Sequence, residues 1–138
     1  MKKSGILHPE INRVIASLGH GEVLVIADAG LPIPTTVQRI DLAITAGVPP
    51  FLIVLDAVLK EMEVERAIFA KELSQTNPEL YQAVQGRISC PVDLLTHEKF
   101  KEETQRAVAV IRTGEFTPYA NIILQAGVVF SSSTVIRR

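Results

Sequence analysis

Residue types that define several large protein classes are scarce in this sequence. Its 138 residues include one cysteine, Cys90, and no tryptophan. A single thiol forms neither an internal disulfide nor a multi-thiolate metal site, so we expect a reducing compartment, the cytoplasm. Neither charge is in excess, because 14 Lys and Arg residues face 15 Asp and Glu residues for a formal net charge of −1. Without a positive field to attract phosphate backbones, nucleic acid is not an expected partner.

Long apolar runs are also missing. The most apolar stretch, residues 48–59, contains two prolines and Asp56 and is well short of the ~20 residues that a transmembrane helix needs. Residues 4–12 include Gly, His, Pro, Glu and Asn, whereas a signal peptide is apolar at the corresponding place. We therefore expect no membrane partner and no export.

Sequence signatures of common cofactors are absent too. The segment Asp28–Leu31 follows an apolar run but has neither the glycine pattern of a dinucleotide loop nor the lysine of a phosphate-binding loop. A metal site would need His20, Asp28 and His97 to converge without any pair at ligand spacing. The expectation is that the protein uses no cofactor and no metal.

Apolar spacing and turn residues predict one domain in which helices alternate with strands. The segment 23–27 is apolar at every position, which is typical of a strand covered on both faces of a parallel sheet. The pattern as a whole predicts an α/β fold with a central, mostly parallel sheet flanked by helices. Helices are predicted at about 9–18, 50–62, 78–85 and 97–106, and strands at 23–27, 39–43, 65–70, 92–95, 107–111 and 122–124.

Two polar residues flank the first predicted strand. His20 lies between Gly19 and Gly21 at a corner, and imidazole is the side chain best suited to proton transfer near neutral pH. A solvated turn histidine is the alternative. Asp28 directly follows the strand, where open α/β sheets place ligands, and its carboxylate would accept sugar hydroxyls. The alternative for Asp28 is a helix or turn cap.

The predicted strand keeps these two residues apart. Eight residue steps separate His20 from Asp28, or about 20–26 Å at ~3.3 Å per extended residue. If both residues act on one small ligand, the site must be assembled between subunits, with His20 supplied by a neighbour. The apolar share of 47% is high for a small domain and also indicates surface buried between subunits.

Further polar groups cluster downstream. His97 and Lys101 are four residues apart and so lie on one face at the start of a predicted helix. The loop 112–121 ends with Tyr119 and Asn121. An amide offers both a donor and an acceptor, and Tyr adds an apolar face with a polar tip, which suits a polyol. A solvated loop beside a surface helix is the alternative.

Four segments in register resemble the D-ribose pyranase family, and together they extend the resemblance over roughly residues 1–130. They read LGHG (18–21), IADAGLPIP (26–34), THEKFK (96–101) and RTGEFTPYANIILQAGV (112–128). Residues 131–138 continue past the usual apolar end of the family. The resemblance therefore predicts a ribose-pyranase-like domain at 1–130 and a C-terminal extension at 131–138.

The resemblance implies a cofactor-free isomerase that interconverts the pyranose and furanose forms of β-D-ribose and feeds the furanose to ribose phosphorylation in ribose catabolism. It implies that His20 is the catalytic acid and that Lys101 is a basic residue beside the site. It also implies a homo-oligomer, a decamer of two stacked pentameric rings with D-ribose sites between neighbours. The substrate contacts that it implies are Asp28, His97, Tyr119, Ala120 and Asn121.

Ring interconversion needs an acid to protonate the ring oxygen while a base removes the proton of the anomeric hydroxyl. A positioned proton donor or acceptor typically raises a reaction rate by ~10²–10⁴-fold. One imidazole, with hydrogen-bonding groups that hold the sugar, is therefore sufficient for this reaction. Two alternatives stay open. One is the same chemistry on another sugar, with fucose mutarotation foremost; the other is a non-catalytic sugar-binding component of ribose uptake or its control.

Overall fold

A six-stranded mixed sheet forms the centre of the fold in the computed structural model, which describes residues 1–130. Its spatial order is β2-β5-β1-β6-β3-β4. Five strands run in one direction, and β6 alone is antiparallel to its neighbours β1 and β3. The predicted mostly parallel sheet is thus confirmed, while the predicted extension 131–138 lies outside the described residues. The strands are β1 (Val23–Ala27), β2 (Gln38–Asp41), β3 (Val64–Ala70), β4 (Val92–Leu95), β5 (Ala109–Arg112) and β6 (Ile122–Ala126).

Five helices flank the sheet within residues 1–130, and polar side chains fix where several of them begin. His8 Nδ1 accepts the N–H groups of Glu10 and Ile11 at the first helix, and Asn77 caps the fourth in the same manner. None of the helices within residues 1–130 has the length and apolar character needed to cross a bilayer. The helices are α1 (Pro9–Ser17), α2 (Phe51–Leu59), α3 (Lys71–Thr76), α4 (Pro78–Gln85) and α5 (His97–Glu103), which continues as a 3₁₀ turn, Thr104–Arg106.

Apolar side chains cover both faces of the sheet. On one face, Leu24 and Ile26 of β1 belong to a cluster that includes side chains of α1, α2 and α4. On the other face, Val23 and Val25 pack in a second cluster that contains Phe100 of α5. All five residues of β1 are buried, as its unbroken apolar run predicted. Because β1 is packed on both faces, the residues at its two ends have fixed positions.

Gly114 allows the loop after β5 to pack closely against the turn that precedes α2. Its N–H donates to the carbonyl of Pro49 (2.9 Å), and its own carbonyl accepts the N–H of Gly47 (2.7 Å). The two bonds connect the 112–121 loop to α2, so the loop has a defined position relative to the sheet.

We expect Gly114→Ala to lower the free energy of unfolding by about 1–3 kcal/mol, as overpacking does in a close contact. The added Cβ would lie 2.4 Å from the carbonyl oxygen of Val48 and 2.7 Å from that of Thr45, and these backbone atoms have no alternative rotamer. Urea denaturation measures the change. At the control position Gly86, the nearest atom is 3.4 Å from the added Cβ, so Gly86→Ala should change stability by less than about 1 kcal/mol. Equal losses in the two variants would contradict the expectation.

Candidate active site

A carboxylate and an amide meet at one edge of the sheet. Asp28 follows β1 and Asn121 precedes β6, and the two lie side by side because these strands are antiparallel. Asn121 Oδ1 accepts the N–H of Asp28 (2.7 Å), and Asn121 Nδ2 donates to Asp28 Oδ2 (3.1 Å). The other carboxylate oxygen accepts the N–H of Gly30 (2.9 Å). Since Asn121 is only 1% exposed, the carboxylate is held in one orientation at a half-buried position.

His97 joins this edge from the start of α5, just after β4 ends. Its N–H donates to both carboxylate oxygens of Glu72 (3.0 Å each). Its ring stacks on Phe100 and lies edge-on to Tyr119, with 5.0 Å between the centroids of the His97 and Tyr119 rings. His97 Nδ1 is buried and has no hydrogen-bond partner within residues 1–130. A buried polar atom without a partner is uncommon, and this one suits a hydroxyl group of a ligand.

The backbone just before Asn121 has an unusual conformation. Tyr119 has a φ of +64°, a left-handed value that non-glycine residues rarely adopt and that concentrates at functional sites. Its carbonyl accepts the N–H of Asn121 (2.8 Å). Ala120 is fully buried in the main core, so contact between Ala120 and a substrate stays a prediction.

A cavity of about 390 Å³ opens beside Asp28, within the size range of small-molecule sites. Arg112, at the end of β5, lines the cavity. Arg112 Nε donates to the carbonyl of Ala29 (3.0 Å), and Nη1 donates to both oxygens of Asp41 (3.1 Å each). Burial acts to raise the pKa of Asp41. The net effect is a lowered pKa, because hydrogen bonds from Ala43 and Arg112 and the nearby positive charges outweigh burial. The bonds of Arg112 thus fix the chain segment that follows Asp28.

Glu115 lines the same cavity and connects it to α2. Its Oε1 accepts the N–H of Phe51 at the start of α2 (2.9 Å), and its Oε2 accepts the hydroxyl of Thr117 (2.7 Å). Burial acts to raise the pKa of Glu115, but these hydrogen bonds outweigh burial and hold that pKa below its ordinary value. Glu115 is therefore a fixed acceptor in the loop, and a poor proton donor.

Lys101 lies one helical turn after His97 but bonds elsewhere. Lys101 Nζ pairs with Glu98 Oε1 at 2.9 Å. The side chain lines a separate depression together with Pro32 and Pro34. Within residues 1–130, no hydrogen bond or ion pair joins Lys101 to Asp28. Contact between Lys101 and a substrate stays a prediction.

His20 lies at the opposite edge of the sheet, before β1 begins. It occupies a four-residue turn in which Glu22 N–H donates to the carbonyl of Gly19 (3.1 Å). Gly21 has a φ of +86°, a value that the third position of a type II turn requires. The His20 side chain is 63% exposed, and its Nε2 lies 2.6 Å from Glu65 Oε1.

The structure thus separates the predicted site residues into two groups. Asp28, His97, Tyr119 and Asn121 lie together at the carboxyl edge of the sheet, while His20 lies at the amino edge, with β1 between them. The predicted separation of His20 from Asp28 along β1 is confirmed. Within residues 1–130, no cluster of three or more His, Cys, Asp or Glu side chains has the geometry to hold a metal ion.

Three residues that matter to this geometry were not singled out by sequence reasoning. Glu65 contacts His20 from 45 positions away, and Glu72 anchors His97 from 25 positions away. Glu115 spans 64 positions to reach α2. No spacing rule connects such distant positions, and only the order of the strands brings them together.

The same fold occurs in solved structures of proteins complexed with D-ribose and with L-fucose. The chain belongs to the RbsD / FucU transport protein family, whose sequence model matches residues 1–129. This confirms the family predicted from the four segments.

Similar proteins match the chain over nearly its whole length. It is 56% identical to the D-ribose pyranase of Geobacillus kaustophilus, over 96% of this chain and 98% of that protein. The structure of Bacillus subtilis RbsD complexed with D-ribose is 48% identical, covers 94% of this chain and 100% of its own, and superposes with a TM-score of 0.91. The fucose mutarotase of Streptococcus pneumoniae, in complex with L-fucose, is 27% identical over 90% of this chain and 95% of its own, with a TM-score of 0.73.

Proposed function

We propose that the chain is a D-ribose pyranase, an isomerase that interconverts the pyranose and furanose forms of β-D-ribose without a cofactor. The observation that carries the proposal is the match to D-ribose pyranases at 56% identity over almost the entire chain. The ribose-bound relative also superposes more closely than the fucose mutarotase does, with TM-scores of 0.91 and 0.73. These comparisons favour ribose over fucose as the substrate.

In the proposed complex, the carboxyl edge of the sheet holds the sugar. The carboxylate of Asp28 accepts sugar hydroxyls, and its orientation is maintained by Asn121. The buried Nδ1 of His97 offers one further polar contact, and Tyr119 presents a ring with a polar tip. Lys101, which pairs with Glu98, would be a further donor beside the sugar.

His20 acts on this sugar from a neighbouring subunit. Support comes from its exposure in a single chain and from its separation from Asp28 by the whole of β1. Large apolar side chains that a second copy would cover are also exposed, as intersubunit surfaces require. They include Leu7, Ile44, Ile53, Phe116, Val129 and Phe130.

In the proposed reaction, protons move between the sugar, His20 and a base. A water molecule can act as that base. Protonated His20 gives its proton to the ring oxygen, the bond from that oxygen to the anomeric carbon breaks, and the anomeric hydroxyl loses its proton to the base. The open-chain aldehyde then recloses. The hydroxyl that attacks the aldehyde carbon returns a proton to His20, and the aldehyde oxygen takes its proton back from the base.

The protein assembles as a decamer of two stacked pentameric rings, in which each site uses residues of two neighbours. The setting is ribose catabolism in the cytoplasm, where the furanose product is phosphorylated. Both follow from the family resemblance in the sequence.

Saturation-transfer NMR on free D-ribose tests the proposed activity. We expect that saturating a β-pyranose signal attenuates the β-furanose signal when the protein is added. Exchange between the anomers of L-fucose, with no ring exchange of ribose, would indicate a mutarotase instead. Binding of ribose without exchange would indicate a non-catalytic sugar-binding protein. Either result would contradict the proposal.

A further inference from the structure

The side chains around His20 form a chain of hydrogen bonds. His20 Nε2 lies 2.6 Å from Glu65 Oε1, and Glu65 Oε2 accepts the side-chain N–H of Gln125 (2.8 Å). If Glu65 is ionised, its carboxylate can only accept, so this contact requires the proton on Nε2 of the imidazole. Glu65 is the sole hydrogen-bond partner of the His20 ring within the described part of the chain. The second ring nitrogen, Nδ1, is therefore the one open to a ligand.

The backbone of β3 is irregular at the residue that contacts His20. The pairing of β3 with β6 runs from Val64 opposite Ala126 to Arg66 opposite Gln125, which leaves Glu65 as an extra residue in the ladder. Such a β-bulge re-aims a side chain and is common beside active sites. Here the side chain that the bulge carries reaches the corner at His20.

Two further contacts hold the corner and the carboxylate together. The N–H of Gly21, next to His20, donates to the carbonyl of Ala126 at the end of β6 (2.8 Å). A Cβ at Gly127 would lie only 3.1 Å from Glu65 Cβ, so the chain after β6 passes directly over Glu65. The imidazole and its carboxylate partner are thus both anchored to β6.

We propose that Glu65 is a positioning residue for His20. It fixes the imidazole with Nε2 toward the carboxylate, so that Nδ1 is the nitrogen that exchanges a proton with the sugar of the neighbouring subunit. Gln125 fixes the carboxylate in turn. This inference rests on the proposed function, because it assigns a role within the same site.

Kinetics of Glu65 variants provide the first test. We expect Glu65→Ala to lower kcat for ribose ring exchange by about 10- to 100-fold, the equivalent of one charge-assisted hydrogen bond. KM for ribose should change less than about threefold, because Glu65 does not hold the sugar. Glu65→Asp, which keeps the carboxylate, should recover part of kcat. The control is Glu63→Gln, at an exposed glutamate two residues away, which should retain the parent kcat.

The ring nitrogens of His20 provide a second test, whose deciding readout is taken on the protein with Glu65 in place. In the ¹⁵N spectrum of the ribose-free, unmodified protein, the signals of His20 are assigned by their loss in His20→Ala. We expect the neutral imidazole to carry its proton on Nε2, and expect Glu65→Gln to weaken that preference. A proton on Nδ1 in the unmodified protein would overturn the inference, even if Glu65→Ala does not fold.

The outcomes separate this inference from the proposed function. If the unmodified protein exchanges ribose and His20→Ala does not, but Glu65→Ala keeps the parent kcat, only the role of Glu65 is wrong. Glu65 would be a structural residue only if three results came together. Glu65→Ala would lose kcat and thermal stability in parallel, Glu65→Asp would recover neither, and His20 of the parent would show mixed tautomers. If the unmodified protein exchanges no ribose, the proposed function fails instead.

Discussion

Replacing His20 with alanine is expected to lower kcat for ribose ring exchange by about 10²–10⁴-fold, the usual contribution of a positioned proton donor. Ribose affinity should stay within a few-fold of the parent value, because the residues proposed to hold the sugar lie at the other edge of the sheet. The exposed side chain packs against little within its own chain, so stability should also be kept. Saturation-transfer NMR gives the exchange rate, and calorimetric titration gives the ribose affinity.

His8 is the matched control for this substitution. It is a histidine that accepts two backbone N–H groups at the start of α1, so His8→Ala should lower the free energy of unfolding by about 0.5–2 kcal/mol. Its exchange activity should equal that of the parent. Parent-like exchange in His20→Ala would refute the assignment of His20 as the proton donor.

Asp28→Asn is expected to weaken ribose binding by about 10- to 100-fold, because hydrogen bonds to a charged group contribute about 1.5–3 kcal/mol. The substitution replaces one acceptor oxygen with an amide donor. Both oxygens of Asp28 already accept, one from Gly30 and the other from Asn121, so either placement of the new amide sets two donors against each other. The sugar then loses both the charge and the fixed orientation of its acceptor. Titration with ribose measures the change.

Asp56 provides the control carboxylate. Asp56 lies on α2, pairs with Arg87 and does not line the cavity beside Asp28. Asp56→Asn should leave ribose affinity unchanged. Unchanged affinity in Asp28→Asn as well would show that this edge does not hold the sugar.

Much of the fold was predictable because local chemistry and tertiary structure agree. The unbroken apolar run of β1 predicted burial on both faces, and the Asn77–Pro78 pair predicted the start of α4. Strand β6 is different, because nothing local distinguishes a strand that runs against its neighbours. Its place between β1 and β3 follows from long-range pairing, which apolar spacing does not encode.

Some residues of the candidate site could likewise be predicted from the sequence, and others could not. Asp28 and His97 could be singled out because each directly follows a predicted strand, and parallel strands end at one edge of a sheet. The contact between Glu65 and His20 was not predictable, since it depends on a bulge in β3 and on 45 residues of intervening chain. Positions of polar residues relative to strands are visible in a sequence, whereas their hydrogen-bond partners across the sheet are not.

The central claim is that two subunits build each site, and mixed oligomers test it most directly. His20→Ala and Asp28→Asn subunits, co-expressed with different tags, are purified as mixed assemblies and assayed at a ribose concentration well below the KM of Asp28→Asn. If one subunit supplies the imidazole and its neighbour the carboxylate, random assembly regenerates intact sites at about a quarter of positions, and activity should rise to about that share of the parent's. Activity no higher than the average of the two variants would mean that each chain uses its own His20 and Asp28.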